Sequence, residues 1–187
     1  MKTLRDIALV TIFVVLAGLI VSYMPKEGLE TSELEMIQEL SYSDSSDDSV
    51  EWTEDTYKNK GFIIYLNELK NTHLELKQSR ESTMEIVNNL KELKVSFEEN
   101  NIQIADEDQM IIMESYQKVR FYRYMLEDTI GQGYQQLMEL RENKDLYSKE
   151  ASKDILIDVY LVLQSRVMLF NDMQDELMNI QNILAQY

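Results

Sequence analysis

The chain opens with an almost unbroken apolar run and closes with three long stripes of apolar residues recurring every three or four positions. The opening run extends from Ile7 to Met24, is interrupted only by Thr11, Gly18, Ser22 and Tyr23, and is closed by Pro25 and Lys26. At 1.5 Å per residue, residues 7–24 would span about 27 Å as a helix, close to the hydrocarbon thickness of a bilayer. Because the run is apolar on every face, it predicts a membrane-spanning helix rather than one side of a core.

A cleaved signal peptide needs a shorter apolar stretch and a small-x-small cleavage site. The nearest match, Val15-Leu16-Ala17, would leave Leu19, Ile20 and Val21 on the mature end, so an uncleaved signal anchor is expected. Leu16-Ala17-Gly18-Leu19 resembles a bacterial lipobox, but Leu19 stands where the lipidated cysteine must be. Lys2 and Arg5 lie before the span and Lys26 is the only basic residue close after it, which predicts a cytoplasmic tail at residues 1–6 and everything after Pro25 outside. The expected location is the cell membrane, crossed once.

The three later stripes carry their own boundary signals. Thr53, Glu54 and Asp55 suit a helix start, and the first seam runs Phe62, Leu66, Leu69, His73, Leu76, Arg80, Thr83, Val87, Leu90, Lys94, Phe97 until Asn100-Asn101 ends it. Asp106 to Gln109 caps a second seam of Ile112, Tyr116, Val119, Arg123, Leu126, Ile130, Gly133, Leu137 and Leu140. After a turn at residues 143–147, Ser148 or Ser152 caps a third: Leu156, Val159, Leu163, Arg166, Phe170, Met173, Leu177, Ile180, Leu184, Tyr187. Three helices of about 40 residues, each roughly 60 Å long and joined by short loops, predict an all-α antiparallel, coiled-coil-like three-helix bundle over residues 56–187.

Two features point to a four-helix alternative. Gly131-Gln132-Gly133 interrupts the second stripe, and each glycine costs a helix about 1 kcal/mol relative to alanine. In the segment before the bundle, Ser32-Glu33-Leu34-Glu35 forms a capping box ahead of Met36, Ile37 and Leu40, so a short helix over 33–41 can dock on the bundle.

Charge sets that segment apart. Of 34 acids and 18 bases in the chain, residues 26–56 hold eleven acids and one base, and the stretch 41–49 is almost entirely serine and aspartate. Residues 25–55 therefore read as an acidic tether, solvated at its centre and repelled by anionic headgroups. The stretch from Asp44 to Glu51 lacks the ligand alternation and turn glycine of an EF-hand.

Composition removes most familiar chemistry. Without cysteine there are no thiolate metal sites, iron–sulfur clusters or cysteine nucleophiles, and the only histidine, His73, has Lys70 where a Glu-x-x-His di-iron site needs glutamate. His73 is expected in the seam, making a local hydrogen bond or meeting Asp158. Met110, Met113, Met168, Met173 and Met178 read as core filling rather than Cu(I) ligands. No catalytic residue, cofactor or metal is assigned, and an enzyme is not expected.

Two groups of residues remain as binding candidates. Arg80, Arg123 and Arg166 occupy seam positions spaced 43 residues apart, one antiparallel hairpin length, which predicts a single arginine layer. Such a layer either turns outward toward Glu81, Glu85 and Glu127 or holds a small anion or carboxylate. Arg120, Phe121, Tyr122 and Tyr124 interleave base and aromatic as a patch for a protein partner; nucleic acid is not expected on so acidic a chain. The sequence thus leaves an anchored extracytoplasmic interaction or scaffolding module, with a protein partner or self-association, or an anion-sensing bundle acting through a separate transducer.

Overall fold

A computed structural model of the chain describes residues 35–37, 54–143 and 146–187. The anchor read at residues 7–24, the Thr53 cap and the Ser/Asp-rich centre of the tether lie outside the described residues. Among those described, no helix is long and apolar enough to cross a membrane.

The described residues are helical, with no strand among them: α1 (Glu54–Asn100), α2 (Asp106–Asp128), α3 (Gln132–Glu142) and α4 (Lys149–Leu184). They pack as two units. One takes α1 from Gln78 onward, α2, and α4 from Met168 onward; the other takes residues 35–37, α1 up to Lys77, α3, and α4 up to Val167.

In the first unit the core is built from Val87 and Leu90 of α1, Ile112, Val119 and Leu126 of α2, and Phe170, Met173, Leu177 and Ile180 of α4, all on the expected seams. Buried polar side chains set its register. Ser79 Oγ donates to Asn171 Oδ1 at 3.0 Å, and Gln174 Nε2 donates to the Ser79 carbonyl at 2.5 Å and to Thr83 Oγ1 at 3.1 Å. Asn179 Nδ2 donates to Ser115 Oγ at 3.0 Å, linking α4 to α2. Sliding either helix by one residue would part the buried Ser79 and Ser115 hydroxyls from their partners on α4, at about 1–3 kcal/mol each.

The second unit buries Leu66, Leu69 and Leu76 of α1, Leu137 and Leu140 of α3, and Leu156, Val159 and Leu163 of α4. Residues 35–37 are helical and belong to this unit, with Glu35 exposed but Met36 and Ile37 fully buried. The remainder of the helix expected over 33–41 lies outside the described residues.

Local chemistry explains the ends of the elements. Asn101 stops α1 by turning left-handed at φ 51°, a conformation that asparagine tolerates. Ser148 is the cap of α4, its Oγ accepting the Ala151 N–H at 3.1 Å, whereas Ser152 is buried one turn later. Tyr187, expected at the end of the third seam, is exposed; its hydroxyl donates to the Asp108 carboxylate and accepts the Ala105 N–H, tying the end of the chain to the start of α2.

The second expected helix is two helices, which replaces the three-helix expectation with the four-helix alternative. Gly131 lies between them at φ 77°, ψ −3°, in the left-handed region, and this turn ends the hydrogen-bond ladder of α2. Gly133, by contrast, sits inside α3 and is buried. A Cβ at residue 131 would meet nothing within 4 Å, so Gly131→Ala should cost only the backbone penalty, about 1 kcal/mol. Urea denaturation of the variant measures it, and undiminished stability would contradict the left-handed turn.

Candidate functional site

At about 100° per residue, the buried positions of α2 (Ile112, Ser115, Tyr116, Val119 and Leu126) gather on one side of the helix. A second series, Met110, Met113, Gln117, Phe121 and Tyr124, occupies an arc of about 80° on roughly the opposite side. These residues face solvent: Met110 is 74% exposed, Met113 37%, Phe121 58% and Tyr124 66%. A surface helix normally carries one apolar stripe, and α2 carries two.

The candidate patch is thereby redrawn. Arg120, Phe121 and Tyr124 are exposed, but Tyr122 is half-buried, its ring meeting that of Phe121 edge-on at 5.9 Å. Arg120 lies over the Tyr116 ring, 5.9 Å from its centroid. Lys118 is held by Glu176 of α4 at 3.0 Å and by Glu114 at 3.6 Å, and the hydrogen bond to Glu176 raises its pKa. Among the described residues, Arg120 makes no ion pair.

Met110 and Met113 extend the patch by more than two helical turns, and this corrects their reading as core filler. Of the five methionines so read, Met173 is buried, whereas Met110, Met113, Met168 and Met178 are exposed. The signal was present in the sequence: positions 110 and 113 fall out of phase with the seam positions 112 and 116.

The three arginines differ in environment. Arg123 is half-buried and its Nε and Nη2 both bond Glu127 Oε1, at 2.9 and 2.6 Å, an i to i+4 pair of the kind expected for an outward-turned seam arginine. Arg80 is half-buried and belongs with Arg123 to the first unit. Arg166 belongs to the second and is only 2% exposed, the largest fully buried side chain among the described residues.

Beside Arg166 stands His73, 3% exposed. Burial holds its imidazole down at about 4, and the positive charges of Arg166 and Lys77 add to the effect. Asp158, the carboxylate considered for it, is exposed, and the charges that act on the ring are cationic. Among the described residues, no three histidine or carboxylate side chains gather in a way that could hold a metal ion.

Set against protein-family models, curated proteins and solved structures, the chain matches none.

Proposed function

We propose that the chain is a membrane-anchored, extracytoplasmic helical interaction or scaffolding module without catalytic activity, held by residues 7–24 and presenting α2 to a protein partner. The observation that carries this reading is the second apolar stripe of α2, which the fold leaves uncovered while burying the first. Exposed patches of this kind, rimmed by charge and rich in aromatic and methionine side chains, are the usual substrate of protein recognition. The Lys2, Arg5 and 7–24 pattern supports the anchor and its orientation.

A photo-crosslinking side chain placed at Phe121 of the full-length protein in intact cells tests the reading. A covalent protein adduct is expected at Phe121 and not at Glu139, which is also exposed, on α3. Equal labelling at the two positions would defeat the assignment of the face. Protease added outside the cell should remove the helical domain, and protection of the whole chain would overturn the topology.

A second reading, in which the bundle senses a small anion or carboxylate, draws on the burial of the Arg166 guanidinium in the second unit. The planar guanidinium fork suits small oxyanions and carboxylates. Sulfate, phosphate or a dicarboxylate should then raise the melting temperature of the wild type but not of Arg166→Met. Equal stabilisation of both proteins would exclude it.

A further inference from the structure

We propose that the outer stripe of α2 binds α2 of a second copy of this chain in antiparallel register, centred on Gln117. The proposal rests on the interaction-module reading and names its partner.

The stripe is a spacing palindrome. From Met110 the steps are three, four, four and three, through Met113, Gln117 and Phe121 to Tyr124. An antiparallel helix presents the same positions in reverse order, so only a symmetric spacing lets a stripe meet itself without a shift. With Gln117 on the two-fold axis, Met110 faces the partner's Tyr124 and Met113 faces the partner's Phe121. Each contact occurs twice, as an isologous interface requires. Methionine against an aromatic ring is a favourable pairing, and two glutamine amides at the axis can bond each other.

Charge follows the same symmetry. Reflection about residue 117 carries residue 120 onto 114, so each Arg120 meets the partner's Glu114. Among the described residues, Arg120 has the Tyr116 ring for company and no ion pair, and Glu114 is 71% exposed with one long contact, to Lys118 at 3.6 Å. Both are therefore available for a stronger pair. Like charges meet only at the ends, where Asp106 would approach the partner's Asp128 and Glu107 the partner's Glu127, the latter already paired with its own Arg123. There the N-terminal dipole of each α2 favours the incoming carboxylate, and salt screens what repulsion remains.

A protein without cysteine gives a clean test. In the purified full-length chain, kept in detergent micelles, Gln117→Cys should oxidise to a disulfide-linked dimer. Residues facing across the axis of a close helix pair come within disulfide range. Glu92→Cys, exposed on α1, should not. Arg120→Glu and Glu114→Arg should each weaken dimerisation about tenfold, since each replaces two attractive pairs by repulsive ones, and the double variant should recover it.

Equal crosslinking at positions 117 and 92, or a double variant as weak as either single one, would overturn the pairing. If Gln117→Cys gives no dimer while the photo-crosslinker at Phe121 captures a different protein, self-pairing fails and the interaction-module reading stands. If position 121 captures nothing either, both fail.

Discussion

Lowering the pH from 7 to 4 should weaken the unit containing His73 by about 3 kcal/mol through this one side chain, beyond whatever the carboxylates contribute. His73 is buried, with a folded-state pKa of about 4 against 6.5 for the free side chain. Above pH 6.5 the imidazole is neutral in both states and costs nothing. Between 6.5 and 4 the unfolded chain takes up a proton that the folded chain refuses, so stability falls as pH falls, by about 1.4 kcal/mol per unit. Below 4 both states are protonated and the loss is complete.

Urea unfolding of wild type and His73→Gln at a series of pH values isolates the effect, because the acidic residues are common to both. The wild type should show the steeper decline between pH 6.5 and 4. Identical slopes would mean that His73 titrates normally in the folded protein. Arg166→Met in the wild-type background should shrink the decline, since removing that neighbouring charge raises the folded-state pKa toward its ordinary value.

His73 illustrates which parts of the molecule were legible in the sequence. Its seam position could be read from the three-four spacing, as could Leu66, Leu69, Leu163 and Leu177, because burial of one helix face imposes a period that composition cannot disguise. The stop at Asn100-Asn101 could be read, and the cap of α4 narrowed to Ser148 or Ser152, because each depends on a few adjacent residues. The break at Gly131 was readable only as a weakness. Whether two glycines bend, break or merely cost a helix depends on packing further along the chain, and here only one of the pair turned left-handed.

The site was harder to read. Arg120, Phe121 and Tyr124 drew attention by residue type, but Met110 and Met113 did not, because methionine is as common in cores as on interaction surfaces. Their phase relative to the core seam, rather than their chemistry, tells which side they face. For the arginines, the shared spacing says nothing about solvent. The structure separates Arg123, held by Glu127 near the surface, from Arg166, which is buried.

The tether holds the last and most direct test. Ile37→Ala should destabilise the protein by about 2–5 kcal/mol, as much as truncating a central bundle leucine, although the residue lies in the most acidic part of the chain. Composition assigns residues 25–55 to solvent, yet Ile37 is 0% exposed and Met36 3%, against 0% for Leu69 and Leu163 in the same unit. Net charge describes a segment as a whole, whereas burial needs only one apolar turn, and the capping box ahead of Met36 supplies the means to form it. Glu35→Ala, on the exposed side of that turn, removes only the capping-box carboxylate and should cost less, about 0.5–1 kcal/mol. Were residues 7–24 to span a membrane as proposed, docking at residue 35 would leave ten residues of chain, at most about 35 Å when extended, between bundle and bilayer. Urea denaturation of the two variants decides the matter. An Ile37→Ala protein as stable as Glu35→Ala would return the whole tether to solvent, and with it the longer reach that its composition implies.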